Sequence, residues 1–177
     1  MLTQVPMSDP IWDTVSEVLQ KSWPNMCICW IEKNENNALM ESYVIRKERM
    51  IAMRGESNVK EMTLFHGTKE ASVDAICQNG FQVSMNRVSA YGKGTYFSPS
   101  AQMSNGYTDK SKNTEMSYMF VCKVLFGKCK VGTSNETIDT ILYDNTVNTL
   151  KNPTIITTPY DDGAYPEYIV AYYKNAV

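Results

Sequence analysis

The sequence predicts an α+β fold. Apolar residues recur at helical spacing early in the chain, first as Ile11, Val15, Val18 and Leu19, then as Leu39, Tyr43 and Met50. Runs rich in β-branched and aromatic residues dominate the later part, above all residues 119–126 and 168–173. Between them lies a glycine-punctuated middle around Gly92 and Gly94.

Taken in order, the first helix starts where Ser8 or Asp9 can cap it and Pro10 suits its first turn. Trp23-Pro24 ends it. Residues 26–31 read as a strand, and the polar cluster 34–37 turns the chain. The second helix follows, with Leu39, Tyr43 and Met50 on one face and Arg46, Lys47 and Glu48 around them. A polar stretch, 54–60, leads to a short strand over 62–65. A third helix is expected over 70–79, with Gly80 as its C′ residue and Phe81 as the apolar contact after it. Residues 95–97 form a short strand. Ser98-Pro99 reads as a cap and first helical position, opening a short helix towards Tyr107. Strands over 119–126, 155–158 and 168–173 complete the reading.

Composition narrows the function. With 177 residues the chain is expected to be one compact domain, residues 1–177. Its 43% hydrophobic content and 20% charged content exclude the signature of intrinsic disorder. A net charge of −2 supplies no basic excess for a phosphate backbone, so nucleic acid is not the expected partner. The cysteines Cys27, Cys29, Cys77, Cys122 and Cys129 are odd in number and lack C-x-x-C spacing. With His66 as the only histidine, no metal site is expected. Residues 1–12 hold no signal core and no run reaches transmembrane length, so an intracellular protein, cytosolic or nuclear, is expected.

Three clusters could carry chemistry. His66 follows Leu64-Phe65 and precedes Gly67-Thr68, where a strand ending on glycine lets backbone approach a ligand. A histidine filling a core gap explains that position equally well. Gly92-Lys93-Gly94 suggests a phosphate cradle but lacks the sequel of a P-loop, and a plain turn also accounts for it. Ser104-Asn105-Gly106-Tyr107 offers a hydroxyl and a ring. A Cys–His hydrolase would need a thiol activated by His66. Cys77 looks like core, Cys122 and Cys129 sit in strand-like sequence, and nothing marks one as a nucleophile.

In order, Leu64-Phe65-His66-Gly67-Thr68, Tyr91-Gly92-Lys93-Gly94-Thr95-Tyr96-Phe97, Ser104 with Tyr107, Val124-Leu125-Phe126-Gly127, Tyr143-Asp144-Asn145-Thr146-Val147 with Asn152-Pro153, and Ala164-Tyr165-Pro166-Glu167-Tyr168 resemble the catalytic domain of the poly(ADP-ribose) polymerase superfamily. The match runs from about Ser22 onward and is nearest to the mono-ADP-ribosyltransferase branch. The resemblance implies two packed antiparallel sheets with flanking helices and a cleft for NAD⁺ between them. It implies that NAD⁺ is the donor and a protein, the enzyme itself included, the acceptor, with no membrane involved. By the same resemblance Gly67 pairs with the nicotinamide amide through its backbone, and Ser104 holds that amide through its hydroxyl. Tyr107 stacks on the ring and Tyr96 flanks it. His66 donates to a ribose hydroxyl. Thr68, Tyr91, Gly94 and Phe97 complete the implied cofactor contacts, and residues 81–90 form a donor loop.

Polymerases of this superfamily carry a His, Tyr, Glu triad. Counting back ten residues from Tyr165 puts the third position at Ile155, so the implied triad is His66, Tyr96, Ile155, as in mono-transferases. Glu167 is read as a polar residue near the end of a surface turn. The chain departs from the pattern at Ser98, where alanine is common, at Pro159, which interrupts a strand, and at Asp162-Gly163. The superfamily's autoinhibitory helical region and zinc modules have no room in this length, so no dependence on a DNA signal is expected. The alternatives are an inactive ADP-ribose-binding module that keeps the fold, and a true polymerase assisted by Glu167 or another acid.

Overall fold

The computed structural model describes residues 1–87 and 89–174. Val88, inside the expected donor loop, lies outside the described residues. The elements are β1 (Leu2–Gln4), α1 (Pro10–Gln20), β2 (Cys27–Asn34), α2 (Asn37–Arg54), β3 (Lys60–Thr68), α3 (Val73–Asn79), β4 (Thr95–Phe97), α4 (Ala101–Ser104), β5 (Ser117–Phe126), β6 (Cys129–Val131), β7 (Asn145–Val147), β8 (Ile156–Thr158) and β9 (Ala164–Tyr173).

Local chemistry sets many of the boundaries. The Asp9 carboxylate accepts from the Ile11 N–H at 2.9 Å, and Pro10 takes the first helical position of α1. Asn36 caps α2 through the Leu39 N–H at 3.2 Å. Gly80 closes α3 at φ 73°, a conformation open to glycine. Ser100, rather than Ser98, caps α4, accepting from the Met103 N–H at 3.2 Å. The Ser98 hydroxyl instead accepts from the Ser100 N–H at 3.1 Å. α1 stops at Gln20, short of Trp23, because the chain tightens there and the Ser22 and Trp23 N–H groups both bond Leu19 O.

Four strands, β2, β3, β5 and β9, are longer than their local sequence suggests, because long ladders carry polar residues into them. β2 continues to Asn34 by pairing with both β1 and β9. β3 pairs with β5 from Lys60 to Thr68, so His66 and Gly67 lie inside a strand, not beyond its end. β9 begins at Ala164, and its register shifts where Cys122 faces Pro166 and Val121 faces Tyr168. Glu167 is the extra residue of that bulge. It is therefore part of a strand, not of a surface turn.

The strands form a five-stranded sheet, β1-β2-β9-β5-β3, and a four-stranded sheet, β4-β8-β7-β6. The larger is antiparallel throughout, whereas β6 and β7 in the smaller run parallel. The sheets pack through Leu64, Phe120, Cys122, Val124 and Ile169 on one side and Phe97, Val147 and Ile156 on the other. α1 covers the opposite face of the larger sheet, setting Val15 and Leu19 against Ile31, Met119, Val121 and Val170. Tyr43 and Met50 of α2 pack on Leu125 and Tyr165.

One bridge joins the two sheets. The Phe65 N–H donates to Ser98 O at 2.8 Å, and the Ser98 N–H donates to Phe65 O at 3.0 Å. This seam places the end of β3 beside β4 and fixes where a cleft can open.

Candidate functional site

β3 is an edge strand, bonded to β5 on one side only. Phe65 turns its N–H and C=O outward, to Ser98. Strand geometry repeats every second residue, so Gly67 also turns its N–H and C=O outward, past the end of the bridge. Glycine is required there. A Cβ on Gly67 would stand 1.9 Å from Ser104 O, so only a bare backbone lets α4 lie this close.

A cavity of about 160 Å³ opens at this place. Of the residues singled out from the sequence, His66, Gly67, Thr68, Tyr96, Phe97, Ser104, Tyr107 and Ile155 line it. Tyr91 and Gly94 lie outside that lining. Tyr91 and Gly92 hold Tyr96 from behind: the Tyr91 N–H donates to the Tyr96 hydroxyl at 2.9 Å, and that hydroxyl donates to Gly92 O at 2.6 Å. A Cβ on Gly94 would come within 2.5 Å of Thr157 and Thr158, so Gly94 serves the packing of β4 on β8. Glu167 is also absent from the lining. It faces Lys123 at 3.6 Å within the larger sheet.

His66 sits half-buried among rings, 4.9 Å from Phe81 and 5.5 Å from Phe97 between centroids. Its Nδ1 lies 2.8 Å from Tyr96 O. A carbonyl can only accept, so Nδ1 carries the hydrogen and Nε2 is left as an acceptor. Burial pushes the imidazole below its ordinary pKa, and the bond to Tyr96 offsets this only partly. The ring is neutral near pH 7. Any hydroxyl bound at Nε2 therefore donates to His66, the reverse of the direction expected from the resemblance.

Ser104 is buried, and its Oγ donates to Phe65 O at 3.2 Å, leaving lone pairs free to accept. Tyr107 is 46% exposed, a ring on the wall of the cavity rather than in the core. The turn that carries it is anchored from behind. The Tyr172 hydroxyl donates to Asn105 Oδ1 at 2.8 Å, and Trp23 packs edge-on against the Tyr172 ring at 5.4 Å. Ile155 closes the far wall. The Asn148 carboxamide oxygen holds it, accepting from the Thr154 and Ile155 N–H groups at 3.1 Å each.

Lys69, Asn86, Arg87, Ser98 and Met103 also line the cavity. Sequence reasoning gave none of them a binding role. Asn86 and Arg87 fall in the expected donor loop, which was the one available signal; the rest carry no pattern. A second cavity of about 290 Å³ adjoins, lined by Ala71, Ile76, Phe81 and Met85 among others. Among the described residues no cysteine lines either cavity. Burial raises the Cys77 thiol to about 12 and the Cys122 thiol well above its ordinary value. A Cys–His nucleophile has no geometry here. Among the described residues no cluster of three or more His, Cys, Asp or Glu side chains could hold a metal ion, and no helix is long and apolar enough to cross a membrane.

The family described as "Poly(ADP-ribose) polymerase catalytic domain" matches residues 11–161. Protein mono-ADP-ribosyltransferase PARP12 of Mus musculus is 34% identical over 173 residues, covering 89% of this chain and 24% of the relative. Protein mono-ADP-ribosyltransferase PARP14 of Homo sapiens is 32% identical over 178 residues, covering 94% of this chain and 10% of the relative. Protein mono-ADP-ribosyltransferase PARP11 of Mus musculus is 27% identical over 189 residues, covering 92% of this chain and 57% of the relative. The chain thus spans only a quarter of the first relative's length and a tenth of the second's.

Proposed function

The chain belongs to the poly(ADP-ribose) polymerase catalytic domain family, and from that premise we propose that residues 1–177 act as one mono-ADP-ribosyltransferase domain. NAD⁺ is the donor. The nicotinamide–ribose C–N bond breaks with its electron pair leaving on nicotinamide, and a nucleophile of a protein acceptor attacks the oxocarbenium-like carbon; a carboxylate does so as the anion, whereas a protonated nucleophile releases its proton to solvent. The observation that carries this reading is the convergence of His66, Gly67, Tyr96, Ser104, Tyr107 and Ile155 on one cavity from four separate segments.

Each group has work suited to its geometry. The Gly67 N–H can donate to a carboxamide oxygen, and the Gly67 C=O can accept from the carboxamide N–H. The Ser104 Oγ lone pairs accept the remaining amide hydrogen, and Tyr107 supplies a stacking face worth about 0.5–1.5 kcal/mol beyond area burial. Tyr96, with its hydroxyl committed to the chain behind it, contributes its ring rather than a proton. His66 accepts a ribose hydroxyl at Nε2 and so sets the reacting carbon in place. Ile155 leaves the acceptor side without a carboxylate to align a second ribose hydroxyl, which supports single additions. A carboxylate acceptor, already a nucleophile near neutral pH, needs no such help. Unpaired thiols suit a reducing cytosolic or nuclear compartment, and the protein's own carboxylates are candidate acceptors.

Incubation with NAD⁺ followed by intact-mass and peptide measurement tests the reading. Mass steps of one ADP-ribose, spread over separate residues, are expected. Absence of nicotinamide release would overturn transfer, and ladders on one site would overturn the single-addition product.

A further inference from the structure

A separate cavity of about 220 Å³ opens on the larger sheet, lined by Trp30, Glu32, Met116, Tyr118, Ile169 and Ala171. None of these residues lines the two cavities at His66. The ladders set them in two rows across β2, β9 and β5. Trp30 and Tyr118 both pair with Ala171, and Glu32 pairs with Ile169, two residues along. Paired residues share a face of the sheet, and so do residues two apart on a strand. Ala171 and Ile169 are buried and form the floor, while Trp30 is 44% exposed and Glu32, Met116 and Tyr118 are partly exposed. A small residue between two aromatic ones leaves a slot. Two strand spacings root the rings about 10 Å apart. By leaning inward they reach the separation of about 7 Å at which one flat group contacts both. Among the described residues Glu32 forms no ion pair and no side-chain hydrogen bond. Glu61, Glu136, Asp144, Asp162 and Glu167, by contrast, all face Lys or Arg.

We propose that this slot docks an arginine side chain of a protein partner, its guanidinium stacked between Trp30 and Tyr118 and paired with Glu32. The choice of occupant follows from charge and shape. Glu32 is the only charged residue among those lining the slot, so an anion is repelled and a cation attracted. A neutral apolar group would fill the space but leave the carboxylate without a partner. A guanidinium is flat and positive, and it is drawn to the negative faces of aromatic rings. Its fork of N–H donors matches a carboxylate, which takes two of them at once. The methylenes of arginine lie against Met116 and the apolar floor. Lysine brings a compact, strongly hydrated ammonium with no flat surface, so it uses the two rings less well. The slot shares no residue with the donor cavities, and the inference does not depend on the donor reading.

The test titrates a short capped glycine–serine peptide with one central arginine into the labelled chain, read by NMR at the Trp30 indole N–H and the Tyr118 ring. Saturable shifts at both are expected. Glu32→Gln should weaken binding about tenfold, as for loss of a charged hydrogen bond. Trp30→Ala, read at Tyr118, should weaken it by a similar factor. An unchanged melting temperature reports that each variant is folded. On the unaltered protein, a peptide with citrulline in place of arginine keeps the shape without the charge, and it should also bind about tenfold more weakly. Raising salt should shrink the preference for arginine over citrulline. No shift at Trp30 at saturating peptide would overturn the site. So would a citrulline peptide, or a Glu32→Gln variant, that binds as tightly as the original pair. A lysine peptide bound as tightly as the arginine one would overturn the stacked guanidinium. Shifts at Trp30 that grow with protein concentration in the absence of peptide would give the face to a second copy of the chain and overturn the proposal.

Discussion

The two sheets hold their shape by different means. The larger has long strands, β3, β5 and β9, zipped by backbone ladders over an apolar interior. The smaller has only three-residue strands, and its buried residues are largely polar: Thr95, Asp144, Asn145, Thr146, Thr157 and Thr158. Side chains do there what ladders do elsewhere. The Asn145 amide donates to Leu125 O at 3.2 Å and Thr157 O at 3.3 Å, while its oxygen accepts from the Gly127 N–H at 2.9 Å. Thr146 Oγ1 donates to Tyr91 O at 2.6 Å. The cleft lies between the two, so half of its wall rests on a robust ladder and half on individual polar ties. Damage to a tie should therefore matter more than damage to a surface group on the ladder.

The sharpest test is Arg54→Ala. The Asp144 carboxylate is almost fully buried and accepts from Arg54 at 3.0 and 3.3 Å and from the Lys128 N–H at 2.8 Å. Removing the guanidinium strands a buried charge and should cost about 3–5 kcal/mol in urea unfolding. A loss within about 0.5 kcal/mol, as at an ordinary surface site, would break the contrast between the sheets.

His66→Ala comes next. Nicotinamide release should fall on the order of 100-fold through loss of positioning, with the fold retained, and steady-state rates with circular dichroism check both halves. The pH dependence follows from the lowered pKa. The neutral ring is favoured in the folded state, so its contribution to stability is fully present above the ordinary value of 6.5. It is lost as pH falls from there through the folded pKa. Wild-type rates should be flat from pH 8 to 6.5 and decline only below. A midpoint above 6.5 would place a charged partner beside the ring.

Gly67→Ala drives a Cβ into Ser104 O and should cost about 1–3 kcal/mol by overpacking. Benzamide should no longer raise the melting temperature, because α4 and its serine have moved. Retained benzamide binding would mean that the seam yields more easily than its close packing implies. Tyr96→Phe removes the two bonds to Tyr91 and Gly92 and should cost about 1–3 kcal/mol, since buried backbone groups lose their partner. Because the ring remains, turnover at saturating NAD⁺ should fall less than in His66→Ala. An equal loss would give the hydroxyl a chemical role.

The smallest effect belongs to the ladder. Glu167 and Lys123 meet at 3.6 Å with both side chains partly exposed, a pair worth about 0–1 kcal/mol. Glu167→Gln should leave both stability and the single-unit product almost unchanged. Abolition of the product by this change would move the acid into the mechanism and overturn the assignment of Ile155.

By itself, the sequence determined the fold class, the start of α1 and the whole of β4, because caps, proline positions and apolar periodicity act over a few residues. It also gathered the candidates that share the cavity, through the order and spacing of their motifs. The tertiary structure alone decided that His66 lies within β3, that Glu167 sits in a bulge, that Tyr91 braces Tyr96 from outside the cavity lining, and that Gly94 serves the packing of β4 on β8. It alone brought Lys69 and Arg87 to one cavity and fixed the direction of the bond between His66 Nδ1 and Tyr96 O. Those facts depend on partners distant in the chain: Phe120 opposite His66, Ser98 against Phe65, Tyr96 O against Nδ1. A local pattern records which face of a segment prefers to be dry. Which donor meets which acceptor, and where a gap remains between sheets, is set only when the segments have packed.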